Sequence, residues 1–199
     1  VLLQEEPVDL AGARFGLLAN HASVDREFRG TCDLLAKRYP EGLKVLFSPQ
    51  HGYWSVQQAN MIESPHAVHP RLGVPIYSLY SEVRRPRPEM LEGLDLLIVD
   101  LQDVGTRVYT YVWTLLHCLR ACAEADIDVL ILDRPNPLGG EQVEGAVLGA
   151  DYRSFVGEAC IPMRHGLTIA EMGRWLNDSL QIEASLQVVP LDSWRREWL

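Results

Sequence analysis

Two carboxylic acids follow an apolar run at a spacing that would suit acid–base chemistry. The run is Leu96–Val99, and Asp100 and Asp103 come after it, ahead of Gly105 and Arg107. A continuous apolar run is typical of a strand buried on both faces, and the glycine indicates that a loop follows. Because parallel sheets bind ligands beyond the carboxyl ends of their strands, both acids are candidate catalytic residues. A structural role is equally open, in which Asp103 caps the next helix and Asp100 pairs with an arginine.

Four other predicted strands end in polar residues of the same kind. The residues at these ends are Asn20, then Gln50 and His51, then Ser78 and Tyr80, and finally Asp133, Arg134 and Asn136. The carboxyl ends of parallel strands lie side by side, so residues that are distant in sequence would converge on one crevice. Each residue alone could serve a turn, a cap or an ion pair. Five such ends together predict a functional site at this edge of the sheet.

Alternating apolar runs and amphipathic stretches predict the scaffold that would position these residues. Strands are expected at 14–20, 44–47, 75–80, 96–99, 128–133 and 186–191, and helices at 31–38, 89–91, 109–125 and 168–180. Thr168 and Glu171 have the spacing of a capping box. We expect an α/β fold with a doubly wound, mostly parallel sheet and helices on both faces. The irregular stretch 53–73 is predicted to be a binding loop.

Composition and missing motifs exclude several classes of protein. The 199 residues carry a net charge of −9, which argues against a nucleic-acid partner. No run approaches the about 20 apolar residues that cross a bilayer, so no transmembrane segment is expected. The sequence has neither the glycine fingerprint of a dinucleotide site nor a P-loop, and it has no G-x-S-x-G motif. We therefore expect no cofactor and no serine-hydrolase triad.

Two kinds of hydrolytic site remain open. One is a metal site built from His51, His66, His69, His165, Asp100 and Asp103, although none of them has H-E-x-x-H spacing. The other is metal-free glycoside hydrolysis, which needs two carboxyl groups and side chains that hold a sugar. The candidate carboxyl groups are Asp100, Asp103, Asp133 and Glu63, and the candidate rings are Tyr53, Trp54, Tyr80, Tyr109 and Tyr111. The second kind of site fits the sequence better.

Five motifs in order along the chain resemble one known family. They are L-F-S-P-Q-H-G at 46–52, P-I-Y-S-L-Y at 75–80, V-D-L-Q-D-V-G-T-R-V-Y-T-Y at 99–111, L-D-R-P-N-P-L-G-G-E-Q-V-E-G at 132–145 and P-M-R-H-G-L-T at 162–168. The chain resembles the exo-β-N-acetylmuramidases, which release N-acetylmuramic acid from the non-reducing end of peptidoglycan fragments. The resemblance implies a Rossmann-like glycoside hydrolase domain over residues 1–199, followed in a longer chain by a smaller C-terminal domain. It favours a bacterial cell-envelope location, with cytoplasmic recycling as the alternative.

The resemblance also implies where the chemistry would occur, and here the sequence departs from the family. The family's S-P-E-H-G motif carries a glutamate as the expected acid, but this chain has Gln50, whose amide cannot transfer a proton. The acid could instead be Glu63, Asp100 or Asp103, with Gln50 and His51 positioning water or substrate. Alternatively, the protein is a catalytically silent muropeptide-binding module, and a metal-dependent hydrolase is the second alternative.

Muramic acid differs from its partner sugar by a lactyl carboxylate, which a planar guanidinium can bind through two hydrogen bonds. The candidate guanidiniums are those of Arg107, Arg134 and Arg164. The full set of expected substrate-binding residues is Asn20, Tyr80, Arg107, Tyr109, Asp133, Arg134, Asn136, Arg164 and His165. A peptidoglycan-derived sugar is the expected partner.

Overall fold

A computed structural model describes residues 2–5, 8–57 and 62–198 of the chain. In these residues the elements are α1 (Leu2–Glu5), β1 (Phe15–Ala19), α2 (Thr31–Arg38), β2 (Leu43–Ser48), β3 (Ala67–Val68), β4 (Pro75–Ser78), α3 (Pro88–Leu91), β5 (Leu96–Asp100), α4 (Tyr111–Ala125), β6 (Asp128–Leu132), a short 3-10 helix (Ala150–Tyr152), α5 (Ile169–Ser179) and β7 (Leu186–Val189). None of these helices is long and apolar enough to cross a membrane.

The strands form one seven-stranded sheet in the order β3-β4-β2-β1-β5-β6-β7. All neighbouring pairs are parallel except β3 with β4, which is antiparallel at one edge. The chain builds outward from β1 through β2 to β4, then returns to the other side of β1 with β5. This reversal is the topological switch point of a doubly wound sheet. The predicted fold class is confirmed.

Two apolar layers cover the sheet, one on each face. The first lies under α3, α4 and α5 and includes Trp113 and Phe47, which are fully buried. The second lies under α2 and includes Phe15 and Leu35, which are also fully buried. Burial of each such side chain stabilises the fold by about 1.5–3 kcal/mol. Because β1 and β5 are covered on both faces, every residue in them is buried, as their unbroken apolar runs predicted.

The main differences from the predicted elements are small. β3 falls inside the stretch 53–73, which was predicted to be irregular, and consists of only two residues. The predicted helix 109–125 begins at Tyr111, two residues late, and it ends where Asp126 adopts a left-handed conformation. The predicted capping box is present at α5, where the Thr168 side chain accepts a hydrogen bond from the Glu171 backbone. Both α4 and α5 begin at the carboxyl edge of the sheet, where the functional residues were expected.

Candidate active site

Asp100 lies at the switch point and is held by an arginine from the neighbouring strand end. Its two carboxylate oxygens accept hydrogen bonds from Arg134 Nε at 2.7 Å and Nη2 at 2.9 Å, and one also accepts from the Thr31 hydroxyl at 2.5 Å. The Asp100 side chain is only 2% exposed. Burial acts to lower the pKa of Arg134, but the hydrogen bonds and charge of Asp100 outweigh it and raise that pKa. Asp100 and Arg134 therefore form a buried ion pair.

Asn20 joins the same region to a tyrosine pair. Its amide nitrogen donates to the Tyr111 hydroxyl at 2.8 Å, and its backbone N–H donates to the Ser23 hydroxyl at 2.9 Å. The ring of Tyr111 lies 4.5 Å from that of Tyr109, centroid to centroid. Burial, reinforced by a hydrogen bond with Tyr109, raises the pKa of Tyr111, so this phenol stays neutral at physiological pH. Asn20 and Tyr109, which follow different strands, therefore lie close together around Tyr111.

Asp103 and His165 form a second buried pair with unused hydrogen-bonding capacity. One oxygen of Asp103 accepts from the Gly105 N–H at 2.8 Å and lies 3.5 Å from His165 Nε2. Leu167 N–H donates to His165 Nδ1 at 3.2 Å, which places the proton of the neutral ring on Nε2, facing Asp103. Within the described residues, Asp103 Oδ1 and His165 Nε2 are buried without a hydrogen-bond partner. Because buried polar groups normally have a partner, these two atoms mark a place that calls for one, such as a water or a ligand.

Asn136 fixes the backbone around this pair. Its amide donates to the Leu167 carbonyl at 2.9 Å and accepts from the Leu138 N–H at 2.9 Å. Gly105, with φ +79°, packs so closely that a Cβ there would clash with the side-chain oxygen Oδ1 of Asn136. Asn136 thus holds the loop of Asp103 and the segment after His165 against each other.

Gln50 and His51 follow β2 on the other side of the switch point. The Gln50 side-chain oxygen accepts from the Thr110 hydroxyl at 2.8 Å, and its NH2 group has no hydrogen-bond partner among the described residues. His51 has φ +75°, and its Nδ1 donates to the Gln57 carbonyl at 2.7 Å. In the neutral ring, Nε2 is then the basic nitrogen. Gln50 is buried and His51 is half-buried.

Asp133 caps a helix. Its carboxylate accepts from the backbone N–H groups of Arg134 and Ala170, both at 3.0 Å, and from the Thr168 hydroxyl at 3.0 Å. These contacts lie at the first turn of α5, where unpaired N–H groups favour a negative charge. Burial raises the pKa of Asp133 although all three hydrogen bonds oppose the rise.

Glu63 lies at the rim. Its side chain is 59% exposed and pairs with Arg84 at 3.6 Å. Four residues of the motif proposed for this alternative acid, 58–61, lie outside the described residues. Tyr80 is buried, with Arg84 over its ring at 4.0 Å and Phe155 beside it at 5.8 Å between ring centroids.

The two remaining candidate arginines bind the loop before α5. Arg107 Nη1 donates to the carbonyls of Ala146 at 2.8 Å and Ile161 at 2.7 Å. Arg164 Nη1 contacts Glu144 at 2.7 Å and Gln142 at 2.8 Å, and its Nη2 donates to the Leu138 carbonyl. Together with Arg134, all three arginines expected to bind a carboxylate are therefore bonded to the protein itself.

Sequence reasoning missed Arg84, Thr31 and Thr110 as parts of this site. Arg84 is distinguished from the adjacent arginine Arg85 by its stacking on Tyr80, a tertiary contact that the sequence does not reveal. The six residues considered for a metal do not assemble. Among residues 2–5, 8–57 and 62–198, no three His, Cys, Asp or Glu side chains are placed to hold a metal ion.

The chain is similar to known proteins of one family. Residues 15–199 match the family described as exo-beta-N-acetylmuramidase NamZ, N-terminal. The chain is 41% identical over 196 residues to the peptidoglycan beta-N-acetylmuramidase NamZ of Bacillus subtilis (strain 168), covering 98% of this chain and 47% of that protein.

Two crystal structures of DUF1343 family proteins from Bacteroides fragilis NCTC 9343 have the same fold. One has a TM-score of 0.89 at 36% identity, covering 98% of this chain and 50% of that one. The other has a TM-score of 0.80 at 32% identity, covering 94% and 49%. The chain spans about half the length of these relatives. It belongs to the NamZ exo-β-N-acetylmuramidase family and corresponds to that family's N-terminal part.

Proposed function

We propose that this chain is the catalytic domain of an exo-acting glycoside hydrolase that releases N-acetylmuramic acid from the non-reducing end of peptidoglycan fragments. The observation that carries the proposal is the buried pair of Asp103 and His165, which keeps a carboxylate oxygen and a ring N–H unpartnered among the described residues. The pair lies at the carboxyl edge of a doubly wound sheet, where such folds bind ligands. Membership of the NamZ family and the name of the Bacillus subtilis relative support the same activity.

Of the four candidate carboxyl groups, we assign the proton transfer to Asp103. Asp100 neutralises the half-buried Arg134, so its protonation would leave that charge unpaired. Asp133 is fully used in capping α5, and Glu63 is mostly exposed at the rim. Of these four, Asp103 alone combines burial with an oxygen that has no hydrogen-bond partner among the described residues, and a carboxyl group with such an oxygen can act as general acid or base when a substrate binds against it.

Gln50 and the tyrosines next to Asn20 would bind the sugar and take no part in proton transfer. The bond from Thr110 orients the Gln50 amide so that its NH2 group can donate to a sugar oxygen. Half-buried Tyr109 would supply ring surface and a hydroxyl group, and its neighbour Tyr111, fully buried and neutral, supports it next to Asn20. His51 presents Nε2 as an acceptor. A sugar is recognised by this mixture of apolar faces and hydrogen-bonding groups.

The experiment is hydrolysis of a chromogenic β-N-acetylmuramide by the full-length protein. We expect Asp103→Asn to lower kcat by about 10²- to 10⁴-fold, the usual contribution of a general acid or base. Glu63→Gln, which alters an exposed carboxyl, is the matched control and should retain kcat. Loss of activity in Glu63→Gln with retention in Asp103→Asn would assign the acid to Glu63 instead.

A muropeptide-binding module without catalysis is the second candidate. The observation that favours it is Gln50 itself, a neutral amide where the resembling family has a glutamate. If the protein is such a module, we expect the parent to bind the sugar without releasing the chromophore, and we expect the Gln50→Glu variant to gain hydrolytic activity. The metal-dependent hydrolase has no comparable support, because the described residues offer it no ligand set.

A further inference from the structure

A fourth arginine, Arg84, was not among the candidates from the sequence. It lies at the rim, and its charge has only a distant carboxylate partner. The Arg84 guanidinium carbon is 4.0 Å from the centroid of the Tyr80 ring and 5.5 Å from that of Phe155. Nη1 donates to the Ser81 carbonyl, and Nη2 lies 3.6 Å from a Glu63 oxygen. The side chain is 32% exposed. An exposed ion pair at this distance contributes little, so the Arg84 charge is available to a ligand.

The position of Arg84 places it beside the proposed site. Tyr80 follows β4, and β4 pairs with β2, the strand that leads to Gln50. The two ends are tied together, because Leu79 N–H donates to the Ser48 carbonyl at 2.8 Å. Ser64, next to Glu63, donates its N–H to the Tyr80 carbonyl at 3.0 Å. Arg84 therefore borders the crevice on the β2–β4 side.

We propose that Arg84 is the specificity residue that binds the lactyl carboxylate of N-acetylmuramic acid, an inference that rests on the proposed function. Stacking on Tyr80 fixes the guanidinium plane, which reduces the conformational freedom lost when a carboxylate binds its edge. Glu63 occupies this edge only through a long and exposed contact, and the substrate carboxylate replaces it.

The other arginines are poorly suited to this role. Arg134 would have to leave Asp100 buried and unpaired, which is strongly unfavourable. Arg107 would release two backbone carbonyls, and Arg164 would release Glu144 and a third carbonyl. Of these four arginines, Arg84 has the weakest charged partner in the described part of the chain, so a new carboxylate displaces least there.

The test measures binding separately from hydrolysis. The full-length protein is titrated calorimetrically with methyl 1-thio-β-N-acetylmuramide, which resists hydrolysis, and with its lactyl methyl ester, which lacks the charge. We expect the parent to bind the acid about 10- to 100-fold more tightly than the ester, as for hydrogen bonds to a charged group. Arg84→Gln should abolish this preference while leaving the affinity for the ester unchanged.

Two variants serve as controls. Arg85→Gln alters the adjacent arginine, which is 36% exposed and pairs with Glu124, and should keep the parental preference. Glu63→Gln removes the competing carboxylate and should tighten binding of the acid but not of the ester. A preference for the acid that survives in Arg84→Gln, or a parent that binds both ligands equally or neither, overturns the proposal.

The chromogenic assay separates this outcome from the proposed function. An Arg84-dependent preference for the acid in a protein without hydrolysis would support the carboxylate site and overturn the hydrolase. Hydrolysis by a protein in which Arg84→Gln keeps the preference would do the reverse.

Discussion

The ion pair between Asp100 and Arg134 gives the sharpest test of which carboxylates support the fold. In Asp100→Asn, the amide cannot accept hydrogen bonds at both positions that now receive Arg134 Nε and Nη2 at 2.7 and 2.9 Å. Its NH2 group would meet the donors of Arg134 or Thr31 instead. The Arg134 side chain, 23% exposed, would lose its counter-charge. Removing one partner of such a buried pair costs about 3–5 kcal/mol.

Urea unfolding of the full-length protein, followed by tryptophan fluorescence, measures this cost. With a denaturant slope of about 1–3 kcal/mol/M, the expected loss lowers the unfolding midpoint by about 1–5 M. It is a large part of the about 5–15 kcal/mol by which domains are usually stable. The double variant Asp100→Asn with Arg134→Gln should lose less than the sum of the two single variants, because no charge is left unpaired.

A surface pair with the same geometry is the control. Arg14 donates hydrogen bonds to the Asp95 carboxylate from Nε at 3.1 Å and from Nη2 at 2.6 Å, but both side chains are about half exposed. Asp95→Asn should therefore shift the midpoint far less. If Asp100→Asn unfolds at the parental midpoint, the structural role is refuted. If that variant is then also inactive, Asp100 belongs to the chemistry.

Three further predictions concern the surroundings of the site, all measured as urea midpoints. Gly105→Ala should lower the free energy of unfolding by about 1–3 kcal/mol, because φ is +79° and the new Cβ would clash with Asn136. The control Gly12→Ala, with φ +77° but no neighbouring atoms near the new Cβ, should lower it less. Asp133→Ala should lower the free energy of unfolding by about 1–2 kcal/mol, because the Ala170 N–H in the first turn of α5 and the Thr168 hydroxyl lose their acceptor; unchanged stability would contradict this supporting role. Burial lowers the pKa of His69 from 6.5, so the folded state resists the proton that the unfolded state accepts. Parental stability should therefore fall as pH drops from about 6.5 through the lower folded pKa, and His69→Gln should flatten this fall.

The fold was predictable because its signal is local and repeated. The apolar runs at β1, β2, β5 and β6 each gave a buried strand, and their alternation with helices left few topologies to consider. The antiparallel β3 was not predictable, since its two residues are paired only through β4 and carry no periodicity of their own.

The roles of individual acids were not predictable from the same local signal. Asp100 and Asp103 follow the same apolar run and are three residues apart in sequence. Asp100 is bound in an ion pair with Arg134, whereas one oxygen of Asp103 has no hydrogen-bond partner among the described residues. The deciding contacts come from Arg134 and His165, 34 and 62 residues further along the chain. Pairing of Asp100 with an arginine was one of the two roles open to it from the sequence. The sequence does not single out Arg134 as that partner, because Arg134 was also a candidate to bind the carboxylate of the substrate.

The order of the strands explains how these residues could share one sugar. Asp103 follows β5, and Arg84 follows β4, and β2 and β1 lie between them in the sheet. With strands about 4.8 Å apart, three spacings separate the two ends by about 14 Å. Gln50 follows β2 and Asn20 follows β1, so both residues lie between the two ends along this edge of the sheet. A terminal sugar with its lactyl arm directed toward Arg84 would then present its glycosidic oxygen on the side of Asp103. In this arrangement the carboxylate that identifies the sugar is bound at one end of the crevice, and the bond that breaks is positioned at the other.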